Sequence, residues 1–275
     1  MAPARRADIK VVKGPNIRQV PRPATVADEE FRWFEFPAPD DSWVILGIKR
    51  VPGHGPHPGI LLVHASGGLN TDYVDFANEL TDKGFDVGLG CWFQGIAVHE
   101  SNSNEIECAD APVFKGVVDS AVPDLDSLVS ATHHGLGASE RLTVMGFSRG
   151  AGITALRASK GEGSEPVVLT SGMYDGTNTI GSTVPGGEVD VIAAIRHGAP
   201  WRVPALILHG IDDGAVPVSQ AQALAAALSA RGISVEAHFY PAAGHNLLGE
   251  PEIRDDVVER MTIFVCAQFA CPAAS

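Results

Sequence analysis

The chain has 275 residues, 45% of them hydrophobic, and carries 20 Lys+Arg against 33 Asp+Glu for a formal net charge of -13. That length accommodates one large domain with a substantial core, and the acidic balance opposes contact with a phosphate backbone, so no nucleic acid partner is expected. The longest apolar runs, Ile60 to Val63 and Ala205 to Leu208, are strand-sized and far short of a membrane span.

Residues 1–30 read as an extended N-terminal arm, with Pro21, Pro23 and little periodicity. Arg5 and Arg6 are followed by no apolar h-region, so this stretch does not read as a signal peptide; a cytoplasmic location is expected, with secretion open for a processed form. Residues 31–275 read as a single domain. Phe31 to Phe36 and Trp43 to Arg50 alternate as opening antiparallel strands, and Val51 to Gly59 is a turn-rich connector. From Ile60 strands and helices alternate: ILLVH, a helix over TDYVDFANELTDKG, FDVGLG, a helix from Val122 to His134, the strand from Leu142, a helix from Gly150 to Lys160, and PVVLT. A short helix near Val189 to Arg196, ALILH, the helix SQAQALAAALSARG, VEAHFY and a last helix from Glu252 to about Phe269 complete the series. Repeated crossovers of this kind predict an α/β fold, a mostly parallel sheet with helices on both faces. No segment is long enough for a large cap domain, so the stretches Cys91 to Lys115 and Met173 to Trp201 are the ones that can shape a pocket.

Three motifs at strand ends carry the chemistry. Gly146-Phe147-Ser148-Arg149-Gly150 is G-x-S-x-G between a β-rich segment and a helix former, the context in which a serine sits on a strained strand-to-helix turn with its Oγ exposed. A serine needs a base within hydrogen-bond reach. His245, in YPAAGHN, is the candidate, on a loop whose Ala242, Ala243 and Gly244 are small enough to fold over the sheet edge. An acid to hold the imidazole comes from GIDDGAVP: Asp213 is preferred, with Asp212 as a turn former and Asp175 as a third candidate one strand earlier. The order Ser, Asp, His is that of α/β-hydrolases and differs from the chymotrypsin and subtilisin orders.

An oxyanion site needs fixed backbone N–H groups. Arg149, directly after the serine, supplies one; the loop His64-Ala65-Ser66-Gly67-Gly68 supplies the other, with Ser66 preferred and Ala65 the alternative. That Gly-rich loop lacks the Walker lysine and the G-x-G-x-x-G spacing, so no nucleotide site is expected. His64 and His209, each ending a strand, are expected to make structural hydrogen bonds, and the Arg149 side chain either to cover the helix on the surface or to point into the pocket and attract an anionic substrate. Trp92 and Phe93 are candidates to line an acyl or alcohol pocket, with core packing as the alternative. No metal is expected: His54 and His57 stand in a turn away from acids, and Cys91, Cys108, Cys266 and Cys271 form no C-x-x-C pair. The plainest expectation for the four cysteines is buried free thiols, with Cys91–Cys108 or Cys266–Cys271 as alternatives, the latter only if the last helix ends between them.

With these residues in place the sequence resembles the α/β-hydrolase superfamily and most closely its dienelactone hydrolase-like branch, in a serine-nucleophile variant. LLVHASGGLN, VMGFSRGAG, LILHGIDDGAVP and HFYPAAGHNLLG carry the resemblance from about Trp43 to Phe269. It implies an eight-stranded, mostly parallel sheet, a triad of Ser148, Asp213 and His245, oxyanion donors at Ser66 and Arg149, and no cofactor. Dienelactone hydrolases proper carry a cysteine nucleophile and a glutamate after the third strand, where this chain has Ser148 and Ala65. The expected activity is therefore hydrolysis of a small-molecule carboxylic ester of small to medium size rather than dienelactone hydrolysis. The stretch from VPVSQAQALAAAL to YPAAGH also resembles the end of prolyl oligopeptidase-type catalytic domains, which leaves a peptidase as one alternative. Acyl transfer or perhydrolysis by the same triad is another, and a catalytically silent binding module a third.

Overall fold

A computed structural model describes residues 17–22, 30–37, 43–53, 57–91, 117–136, 141–175, 190–269 and 271. Its sheet runs, in spatial order, β1 (Arg18–Gln19), β2 (Arg32–Pro37), β3 (Trp43–Lys49), β5 (Asp86–Cys91), β4 (Gly59–Val63), β6 (Leu142–Phe147), β7 (Val167–Thr170), β8 (Ala205–Gly210) and β9 (Val235–Tyr240). β1, β2, β3 and β5 pair antiparallel, and every pairing from β5 to β9 is parallel. The eight expected strands are present, joined by a ninth: the two-residue β1, contributed by the arm, lies along β2 with Arg18 opposite Glu35. A pair of residues has no periodicity to read, which is why the sequence does not announce it.

The helices are α1 (Thr71–Asp82), α2 (Val117–Gly135), α3 (Arg149–Ser159), α4 (Val191–Arg196), α5 (Val218–Ala230) and α6 (Pro251–Phe269). In β4, Ile60 and Leu62 face α1 and α6, packing with Phe76, Leu80 and Met261, while Leu61 and Val63 face α2, packing with Leu125 and Leu128. Farther along the sheet, Leu169 and Ile207 pack under α3, α4 and α5 against Leu156, Ile195 and Leu224. Both faces of β4 to β8 are therefore covered and each of these strands is wholly buried, the reason they read as unbroken apolar runs.

One helix start differs from expectation, and one helix end has a consequence for the cysteines. α2 begins at Val117 and contains Pro123, so the helix extends more than a turn ahead of Val122, where the sequence pattern opens. α6 ends at Phe269, between Cys266 and Cys271, and these two form a disulfide. The chain leaving the helix brings back a cysteine that a continued helix would have carried round to another face. Cys91 is also disulfide-bonded. The expectation of free thiols is corrected at these three cysteines; Cys108 lies outside the described residues, as do Trp92, Phe93 and His54. Among the described residues no helix is long and apolar enough to cross a membrane.

Candidate active site

The carboxyl ends of β4, β6, β8 and β9 gather the candidate residues. Ser148 follows β6 and opens α3 with φ 52 and ψ -114, a left-handed conformation that costs a non-glycine residue and persists only where its surroundings hold it. They do: the Ser148 N–H donates to the Thr170 carbonyl at 2.8 Å, and its carbonyl accepts from Gly152 N–H at 3.1 Å. The glycines of the motif have distinct steric reasons. A Cβ on Gly146 would run into the Gly150 carbonyl, and one on Gly150 would stand 2.5 Å from the Val63 oxygen and 2.6 Å from that of His64. The elbow closes only because both positions lack side chains.

His245 reaches Ser148 across 97 residues of sequence, with Nε2 2.9 Å from Oγ, and its Nδ1 lies 2.7 Å from Asp213 Oδ2. A carboxylate only accepts, so Nδ1 carries the hydrogen and Nε2 presents a lone pair to the serine hydroxyl. The His245 loop approaches β8 over Gly210, where a Cβ would strike the Ala243 and Gly244 carbonyls. The Asp212 N–H donates to the Ala243 carbonyl at 3.0 Å, so Asp212 ties the two loops through its backbone while its side chain is exposed.

Asp213 is buried, and its acceptor sites are filled. Oδ1 accepts from Ala215 N–H and Val216 N–H, each at 2.8 Å; Oδ2 accepts from His245 and, at 3.1 Å, from His209 Nε2. His209 Nε2 also lies 3.0 Å from the Val216 carbonyl, and since both partners only accept, this nitrogen bears the hydrogen. Burial alone would raise the Asp213 pKa. Hydrogen bonds from His209, His245 and the Val216 backbone outweigh it and hold the carboxyl well below the usual range, ionised at any working pH. The structural role expected of His209 thus takes a particular form, a second imidazole on the same carboxylate. Asp175 stands apart, its backbone N–H 3.3 Å from Gln220 Oε1.

The loop after β4 closes a turn in which Gly68 N–H donates to the Ala65 carbonyl at 3.2 Å, with Gly68 at φ 77. His64 is buried and its Nδ1 lies 2.6 Å from that same carbonyl; burial lowers its pKa to about 4, only partly opposed by the bond to Ala65, so it is neutral. The Ala65 N–H donates to the Tyr73 hydroxyl at 2.9 Å. That amide is therefore engaged, and Ser66 is the next one along the loop. Arg149 directly follows Ser148 and is the first residue of α3.

Between these elements lies a cavity of about 120 Å³, walled by Ala65, Tyr73, Phe147, Ser148, Thr170 and His245 among others, with Asn70, Asp72 and Asn246 at its polar edge. Asn246 Nδ2 donates to Asp72 Oδ2 at 2.9 Å, linking the histidine loop to the start of α1. Ser66 and Arg149 stand next to the lining residues Ala65, Gly67 and Ser148 and are not themselves among them, so their candidacy rests on their place in the chain, in the turn after β4 and directly after the serine. Tyr73, Thr170 and Asn246 are wall residues that motif reading did not single out; only Asn246, beside His245, had a sequence signal.

The model of the dienelactone hydrolase family matches residues 45–260. The chain belongs to the dienelactone hydrolase family. A Methylorubrum extorquens protein described as a carboxymethylenebutenolidase is 28% identical over 214 residues, covering 77% of this chain and 70% of that protein. Among solved structures, a Klebsiella pneumoniae protein described as a dienelactone hydrolase superposes with a TM-score of 0.61 at 21% identity, over 86% of this chain and 98% of its own. The propionate-bound esterase Est2 of the planctomycete Thermogutta terrifontis does so with a TM-score of 0.68 at 16% identity, over 90% and 97%. The dienelactone hydrolase family member described here is therefore a hydrolase of α/β-hydrolase fold, with a serine at the elbow.

Proposed function

We propose that this protein is a serine hydrolase that cleaves short carboxylic esters through an acyl-enzyme. The observation that carries the reading is the continuous hydrogen-bonded chain from Ser148 through His245 to a buried, ionised Asp213, opening on a small cavity. Ser148 Oγ attacks the ester carbonyl as its proton passes to His245 Nε2, and the carbonyl electron pair collects on oxygen, facing the N–H groups of Ser66 and Arg149. The imidazolium returns the proton to the departing alcohol, Asp213 balancing its charge; water then repeats the sequence to release the acid. The cavity of about 120 Å³ beside Ser148 has room for an acyl group of a few carbons. In this reading residues 31–275 are the catalytic domain and residues 1–30 an appended arm. The disulfides at Cys91 and Cys266–Cys271 favour an oxidising compartment over the cytoplasmic location expected from the N-terminus.

The test is turnover of p-nitrophenyl esters from acetate to laurate by the wild-type protein and by Ser148→Ala. The expected result is activity that peaks between acetate and butyrate, declines steeply by laurate and disappears in the variant. Equal rates in both proteins would overturn the assignment. Absence of turnover together with resistance of Ser148 to a phosphonate would identify a binding fold instead, whereas phosphonate labelling without ester turnover would point to the peptidase alternative.

A further inference from the structure

On the serine-hydrolase reading, we infer that the Tyr73 hydroxyl is a further donor of the oxyanion site, a side-chain hydrogen bond added to the two main-chain ones. Tyr73 lies in the first turn of α1, and its ring is held edge-on to Phe147, the residue before Ser148, with centroids 5.0 Å apart and planes at 86°. It lines the cavity together with Ser148 and His245. Its oxygen accepts the Ala65 N–H at 2.9 Å, which places the phenol beside the turn that carries Ser66. Accepting that bond leaves the hydroxyl hydrogen unspent, and among the described residues nothing accepts it.

The Ala65 bond has a second effect. It removes one of the two candidate amides of this loop from the cavity and aims the phenol by fixing its oxygen, so the remaining freedom of the hydroxyl is rotation of its hydrogen about the C–O bond. Burial pushes the Tyr73 phenol well above the ordinary tyrosine range, outweighing the opposing bond from Ala65. The group therefore stays protonated and is a donor throughout the pH range of the reaction. As the Ser148 Oγ–carbon bond forms and the carbonyl π pair moves to oxygen, Tyr73 donates a hydrogen bond to that oxygen without giving up its proton; the only proton transferred is that of Ser148, to His245. A donor directed at charge that develops in the transition state acts on kcat more than on KM.

Tyr73→Phe is the direct test, since it keeps the ring and its packing on Phe147. The expected result is a folded protein whose kcat on p-nitrophenyl butyrate falls about 100-fold or more, with KM within about threefold and phosphonylation of Ser148 slowed by a similar factor. A folded variant with kcat within twofold of wild type would overturn the proposal, as would a loss confined to KM. Should Phe at this position prevent folding, fluorinated tyrosines at residue 73 retain both the ring and the bond to Ala65 while making the phenol more acidic. Rates that rise along the fluorination series support donation to the oxyanion, and rates that do not change refute it. Failure of the underlying reading has a different signature, undiminished ester hydrolysis by Ser148→Ala.

Discussion

Replacing Asp213 by Asn separates two accounts of what the carboxylate does. Its Oδ1 is held by the N–H groups of Ala215 and Val216, so the amide oxygen of an asparagine must occupy that side and the NH2 must point at His245. His245 Nδ1, now facing a donor, can be satisfied only by giving up its hydrogen, and the ring then carries its hydrogen on Nε2 and donates to Ser148 rather than accepting from it. The serine loses its base. Were the carboxylate merely an electrostatic partner, the loss would be that of one charge-assisted hydrogen bond, about 1.5–3 kcal/mol or roughly 10- to 150-fold in rate. Reversal of the tautomer costs more, about 10⁴-fold, or ~5.5 kcal/mol in the barrier. The assay is kcat on p-nitrophenyl butyrate, with thermal unfolding measured in parallel because Asp213 also anchors its own turn. Asp212→Asn and Asp175→Asn are the controls, each expected to stay within about threefold of wild type. A folded Asp213→Asn protein losing less than about 100-fold would refute the tautomer argument, and a greater loss for Asp175→Asn would place the acid one strand earlier.

Acid should unfold the protein in two stages. His64, whose pKa falls from 6.5 to about 4 through burial, binds its proton more readily in the unfolded chain, so stability declines as pH drops from about 6.5 to about 4. Burial would by itself raise the Glu165 carboxyl, yet hydrogen bonds from His133 and Arg157 bring it from 4.5 down to about 2, so the stability it contributes is present above about 4.5 and is lost as pH falls towards about 2. Glu165→Gln, measured by urea unfolding, is expected to cost about 3 kcal/mol at pH 7, because it leaves a largely buried Arg157 short of a partner, and to abolish the lower stage. An unchanged acid profile in that variant would remove Glu165 from the account. Gly150→Ala drives a methyl group into the Val63 and His64 carbonyls and is expected to cost about 3 kcal/mol along with most of the activity, whereas an unshifted urea midpoint would show that the elbow has room to spare.

The parallel strands were legible in the sequence because burial on both faces leaves no polar alternation: ILLVH, LTVMGF and ALILHG are apolar but for the buried His64, Thr143 and His209, whereas the edge strand VEAHFY is half exposed and carries Glu236 and His238. The elbow was legible because Gly146, Ser148 and Gly150 fall within five residues between a strand and a helix, although Gly150 owes its lack of a side chain to the Val63 and His64 carbonyls beside it. The start of α2 was less so: Pro123 marks a natural beginning, and nothing nearby states that the helix continues ahead of it. The sequence pattern already ends α6 at about Phe269, but it does not state that the chain beyond turns back to join Cys271 to Cys266.

Chain order and turn chemistry were enough to single out Ser148, Asp213 and His245 as residues that belong together, because each follows a strand of recognisable pattern and all such strands end on the same side of a parallel sheet. What the tertiary structure alone decided is how their atoms are shared. Asp212 and Asp213 are chemically identical neighbours, and only the packing of the β8 turn against Ala243 exposes one and buries the other beneath two imidazoles. Ala65 and Ser66 are adjacent amides of one loop, and which of them is engaged depends on a phenol carried by α1, a residue that helical periodicity reads simply as part of a buried face. Hydrogen-bond partners on different elements leave no periodic trace in a sequence, because pattern records which side of an element is buried and not which atom it meets there.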